Sequence, residues 1–104
     1  MSDKDYVADV KEHTSNVDED KVKSIVNYCG IALRSKDGSL VSTSDESELE
    51  TVKNGFAAKK LGLSADDADA AMKKVAERMK GDRTKERVTF YYLLAEESNT
   101  LDKL

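Results

Sequence analysis

The stretch SDESELETVKNGFAAKKLGLS, residues 44–64, constrains the fold of this chain more than any other, because a start signal, an apolar stripe and a stop signal agree within it. Asp45 followed three residues on by Glu48 reads as a capping box, in which two side chains serve backbone N–H groups that a helix's first turn leaves without partners. Leu49, Val52, Phe56 and Leu63 recur at steps that line one side of a helix. Gly62 suits the left-handed position just past a helix end, and Leu63 the apolar residue that packs back over it. One continuous α-helix is expected here.

Nothing elsewhere in the chain breaks that tendency. Proline is absent and there are only 5 glycines, several of them at expected helix ends. Charged residues make up 37% of the 104 positions, yet the 38% that are apolar recur periodically, which argues for a packed core over disorder. The expectation is an all-α fold: one compact domain of four to five helices over residues 1–104, with residues 1–2 and about 98–104 loose unless Leu101 or Leu104 docks.

Taken in order, Ser2 or Asp3 caps a first short helix through about His13, with Tyr6, Val7 and Val10 on its apolar side. A second helix runs from about Asp18 to Cys29, with the stripe Val22, Ile25, Val26 and Cys29 and a stop at Gly30. Residues 31–44 resist a helical reading. Asp37-Gly38 is a turn signal between Ile31–Leu33 and Leu40–Val41, which suits either a minor hairpin or a structured loop packed by Ile31, Leu33 and Leu40.

After the opening stretch, Ser64 starts a helix that carries Ala68, Ala71, Met72, Val75, Ala76 and Met79 at helical spacing and closes at Gly81. Asp82 caps a last helix through about Glu97. Phe90 to Ala95 are apolar without interruption, so this helix is either central to the core or partly buried in a partner. The core is expected to draw on Val22, Ile25, Val26, Leu49, Val52, Phe56, Leu63, Met72, Val75, Val88, Tyr92 and Leu93.

Two segments carry a resemblance, most specifically at Leu49–Asn54, Lys60–Leu63 and Phe90–Leu94. SDESELETVKNGFAAKKLGL, followed after a further helix by RTKERVTFYYLL, resembles the bacterial domain-of-unknown-function family 2853 from about Ala8 to Ala95. The resemblance implies a small, mostly helical bacterial protein. It brings no established activity, so it assigns no catalytic or binding residue.

The residues themselves exclude several chemistries. His13 is the sole histidine and Cys29 the sole cysteine, and neither has the setting of a nucleophile and base pair. His13 suits the negative end of a helix dipole, and Cys29 falls in step with a buried stripe. Aligning Gly38 with the sixth position of a calcium loop puts Leu33 first and Ser44 twelfth, where an acidic ligand and a bidentate Glu belong. Phosphate-loop and dinucleotide fingerprints are absent. No catalytic residue, metal site or cofactor is expected.

The net charge of −4 weighs against a protein whose whole surface follows nucleic acid. One local exception stands out. Residues 73–87 carry seven cations, Lys73, Lys74, Arg78, Lys80, Arg83, Lys85 and Arg87, against three carboxylates, and Lys59 and Lys60 extend the patch if their helices lie side by side. That segment is the candidate for an anion or nucleic-acid backbone, with a solvated helix edge as the plainer reading. Phe90, Tyr91 and Leu94 are the candidates for a partner-facing apolar surface.

A lone cysteine, a polar N-terminus and the lack of any run of ~18 apolar residues lead to an expected cytoplasmic location without membrane contact. The functional expectation is a non-catalytic interaction or accessory protein that binds another protein or itself, with the anion-binding module as alternative.

Overall fold

The computed structural model describes residues 6–15, 17–30, 40–41, 45–81 and 85–104. In chain order these form α1 (Tyr6–Lys11), α2 (Glu19–Cys29), β1 (Leu40–Val41), α3 (Glu46–Val52), a π-helix (Lys53–Lys60), α4 (Ala65–Arg78), β2 (Lys85–Glu86), α5 (Arg87–Glu97) and a closing 3₁₀ turn (Leu101–Lys103). The all-α expectation holds, with a two-stranded ribbon as the minor addition.

Helix starts follow the capping chemistry. The Asp18 carboxylate accepts from the backbone N–H groups of Asp20 and Lys21, and the Asp45 carboxylate from those of Ser47 and Glu48. The Ser64 hydroxyl accepts from Asp67 N–H at 3.2 Å. Such caps remove the cost of leaving first-turn donors unserved. The expected reciprocal half of the box at Asp45 gives way to another contact, because the Glu48 carboxylate is taken by Arg87.

The helix expected over residues 44–64 is two helices in one. Beyond Val52 the winding opens to i→i+5, ending with Leu61 N–H donating to the Phe56 carbonyl at 3.0 Å. The buried residues are accordingly Val52, Phe56, Ala57 and Leu61, while Leu49 and Leu63 are only partly buried. Gly62 at φ +72° is the expected left-handed stop, and Leu63 N–H reaches back to the Ala57 carbonyl at 2.9 Å.

α5 lies at the centre, where it touches α1, α2, α4, the π-helix, both strands and the 3₁₀ turn. All eight residues from Val88 to Ala95 are buried. That resolves the alternative posed by the run Phe90–Ala95, and it corrects the partner-facing assignment of Phe90, Tyr91 and Leu94: the other helices of the same chain already cover them. An all-round apolar helix needs neighbours on every side, and here the fold supplies them.

Three further expectations change. β1 pairs antiparallel with β2, Leu40 opposite Glu86 and Val41 opposite Lys85, a long-range pairing that is not among the expectations for Leu40–Val41. The residues expected to pack or turn there, Ile31, Leu33, Asp37 and Gly38, lie outside the described residues. α5 begins at Arg87, after the ribbon and not at Asp82, which is also outside them. The tail is ordered from Ser98: Thr100 is buried, its N–H donates to the Ala95 carbonyl at 2.8 Å, and Leu101 and Leu104 pack against the core.

Candidate functional site

The most concentrated chemistry on the molecule gathers where α2 ends, the π-helix passes and α5 begins. Phe56 and Tyr91 stack with ring centroids 4.1 Å apart and planes 16° apart. Tyr28, from the last turn of α2, meets Phe56 edge-on at 5.3 Å. Among the described residues Tyr28 is the large apolar side chain left exposed, at 45%. Its ring therefore stands at the surface on a rigid two-ring base.

Arg87 fixes the rim of this cluster. Its guanidinium donates to the Tyr91 hydroxyl at 2.9 Å, to the Leu40 carbonyl at 3.1 Å and to the Glu48 carboxylate. A planar fork with several donors can serve three acceptors at once, which an ammonium cannot do with the same geometry. Burial works against the charge on Arg87, but Tyr91 and Glu48 outweigh it and hold its pKa above the ordinary value. Burial pushes the Tyr91 phenol up, against the pull of Arg87.

Cys29 sits beside this cluster and is half-buried. Burial pushes its thiol up to about 11, with Arg87 pulling the other way. The thiolate is the nucleophilic form, so at neutral pH this side chain is a protonated, inert group.

The basic segment is dispersed by the same fold. Arg78 donates to Glu96 at 2.8 Å, to Glu97 at 2.9 Å and to the His13 carbonyl at 2.8 Å, so it ties the ends of α1 and α5 to α4. Arg87 is consumed as just described. Both arginines are thus structural ties and not free phosphate donors, a correction to their place in the anion patch. Lys80 pairs with Glu77 at 2.9 Å in solvent, Lys85 is half-buried in β2, and Arg83 lies outside the described residues. Lys59, Lys73 and Lys74 are exposed and Lys60 partly so. Lys60 precedes the start of α4 and Gly81 follows its end. A helix of that length spans about 21 Å, so Lys60 and Gly81 lie near its opposite ends, with Lys73 and Lys74 in its second half.

A model of a family described as a protein of unknown function, DUF2853, matches residues 5–102. The chain belongs to the DUF2853 family. No curated protein matches it.

Two grooves formed by described residues mark the surface of this DUF2853 member. One, of about 330 Å³, is lined by Glu46, Leu49, Glu50, Lys53 and Asp69 at the junction of α3 with the π-helix. Lys53 and Asp69 pair across it at 3.4 Å, which gives Lys53 a role that its sequence position did not disclose. The other, of about 300 Å³, has Leu63, Ala70 and Ala71 in its lining with Lys74, Asp67 and Glu97. Among the described residues no group of three or more His, Cys, Asp or Glu side chains is arranged to hold a metal ion. No helix among them is long and apolar enough to cross a membrane.

Sequence reasoning missed Tyr28 altogether. Its only signal was an aromatic ring out of step with the stripe of α2, next to the stripe residue Cys29.

Proposed function

We propose that this DUF2853 protein is a non-catalytic cytoplasmic interaction protein whose working face is the Tyr28 edge of the Tyr28–Phe56–Tyr91 cluster. The observation that carries the reading is the exposure of Tyr28 on a buried two-ring base. A tyrosine presented this way offers a large contact area with little rotamer freedom left to lose, which is the character of an interface anchor. A protein partner fits such an anchor, since it can cover the ring with apolar atoms and reach the hydroxyl at the rim. The inert thiol of Cys29 beside it supports binding over covalent chemistry.

The test places a photo-crosslinking amino acid at Asn27, next to Tyr28, in the native host. The expected result is one dominant protein adduct that disappears in a Tyr28→Ala background while the variant keeps its melting temperature. Adducts that are unchanged by Tyr28→Ala would remove the proposed face. The anion-binding alternative rests on the exposed Lys59, Lys73 and Lys74. It predicts salt-dependent RNA or polyphosphate binding that Lys73→Glu/Lys74→Glu abolishes and Tyr28→Ala leaves intact.

A further inference from the structure

The sequence between Leu49 and Leu63 contains two apolar stripes, one for each kind of helix. At about 100° per residue, Leu49, Val52, Phe56 and Leu63 share an arc of about 60°, which is the α-helical stripe. In that winding Leu61 falls about 180° from Val52, and Lys59 lands only about 20° from it. At about 82° per residue, the angle implied by i→i+5 bonding, Val52, Phe56, Ala57 and Leu61 share an arc of about 80° and Lys59 swings to the far side. The observed burial follows the second stripe: those four are buried and Lys59 is exposed.

We propose that residues 53–60 are a two-register element, wound as a π-helix in this state and able to rewind as an α-helix, and that the winding sets where Phe56 sits beneath Tyr28. The π register wins because the α register lays Lys59 along the apolar stripe and turns Ala57 and Leu61 out of the core. The difference is modest, since the aliphatic stem of Lys59 can lie over apolar surface with its ammonium in water. Both registers keep Phe56 inward but rotate it by about 70° relative to Val52. Its flat stack on Tyr91 exists in one of them only. Rewinding therefore withdraws the base on which Tyr28 rests, and the π-helix becomes the control on the aromatic face. Gly62, in the link Leu61–Ser64, is already in the left-handed region and can absorb the one-residue change of register.

The consequence for Tyr28 rests on the function proposed above; the register equilibrium does not, so it is measured on the isolated protein. Through-hydrogen-bond NMR couplings are recorded on the full chain and on Lys59→Leu, a change at an exposed position that leaves the π-register core intact and adds an apolar residue to the α stripe. In the wild type Leu61 N–H couples to the Phe56 carbonyl, and amides 57–61 exchange at least tenfold faster than the buried amides of α4. In Lys59→Leu the coupling moves to the Ala57 carbonyl and the Phe56–Tyr91 ring contacts fall by more than half. If Lys59→Leu keeps the Phe56 coupling, or if the wild-type amides exchange as slowly as those of α4, the segment has one register and the proposal is overturned. A failed crosslink from Asn27 with a register that does shift would instead remove the aromatic-face reading alone.

Discussion

Arg87 donates to the hydroxyl of Tyr91, four residues on and one turn along α5, at 2.9 Å, and lies 5.7 Å from the centroid of the same ring. The pair joins two parts of the molecule that are remote in sequence. Through Tyr91 it steadies the aromatic stack, and through Leu40 and Glu48 it holds β1 and α3 against the start of α5.

Arg87→Met should therefore cost more than its partly exposed position suggests. The side chain of Arg87 is only 11% exposed, and its removal leaves the Tyr91 hydroxyl, the Leu40 carbonyl and the Glu48 carboxylate without their donor. Losing the donor of a partly buried, charge-assisted network costs about 2 kcal/mol. The urea midpoint should fall accordingly, while Tyr91→Phe, which removes one hydrogen bond, costs about 1 kcal/mol. Arg87→Lys should resemble Arg87→Met more than wild type, because an ammonium cannot reproduce the fork. A midpoint shift for Arg87→Met no larger than that for Tyr91→Phe would show that the fork is not what joins these elements.

Alkaline pH gives a second check, with a definite sign. The Cys29 thiol is raised from 9.0 to about 11 in the fold, so the folded state favours the neutral form. Its contribution is complete below pH 9 and is lost as pH rises through about 11. Stability should fall across that window, and Cys29→Ala should flatten the fall in part, with Tyr91, whose pKa is raised in the same direction, contributing to the rest. Alkylation by iodoacetamide at pH 8 should be at least tenfold slower in the native protein than in urea. Equal rates would place the thiol in solvent.

The legible part of this fold was the local part. Asp18, Asp45 and Ser64 cap helices because a short polar side chain next to an apolar period has one economical use. Phe90–Ala95 gave away the centre of the core, since no surface helix tolerates that run. What escaped depended on partners far along the chain. Lys85–Glu86 has no strand-like composition, and it pairs with β1 only because α5 brings it there. The π-helix escaped because Leu49, Val52, Phe56 and Leu63 satisfy an α period, and the rival stripe through Ala57 and Leu61 emerges only on asking where Lys59 must go. The basic segment misleads for the same reason: seven cations close in sequence suggest a patch, but Arg78 and Arg87 point at carboxylates on other elements.

Arg78 yields a prediction that separates local from global stability. Its donors hold the His13 carbonyl, just past the end of α1, and Thr14 in turn donates to Glu96 at 2.8 Å. Arg78→Ala should lower global stability by about 2 kcal/mol, as expected for a partly buried charge-assisted network. The distinctive effect is on α1: its amides should lose protection from hydrogen exchange well before those of α4 and α5. Uniform loss across all helices would mean that Arg78 does not tether α1 in particular.

The cap at Asp45 can be tested by separating its geometry from its charge. The carboxylate accepts from the Ser47 hydroxyl at 2.8 Å, and from Glu48 and Ser47 N–H at 3.4 and 3.0 Å, and these bonds hold its pKa below the usual 3.8. A lowered carboxyl pKa contributes stability that is present above the unfolded value and disappears as pH falls through the folded one. Asp45→Ala should therefore lower the melting temperature at pH 7 and weaken the dependence on pH below about 4. Asp45→Asn keeps an acceptor at the N-cap, so it should retain most of the melting temperature at pH 7 and lose the same acid dependence. Because Glu48 belongs to Arg87 and not to the box, Glu48→Gln should behave like a weakened Arg87 tie and leave the cap in place. If Glu48→Gln instead frays the first turn of α3, the box is reciprocal after all and Arg87 is only its neighbour.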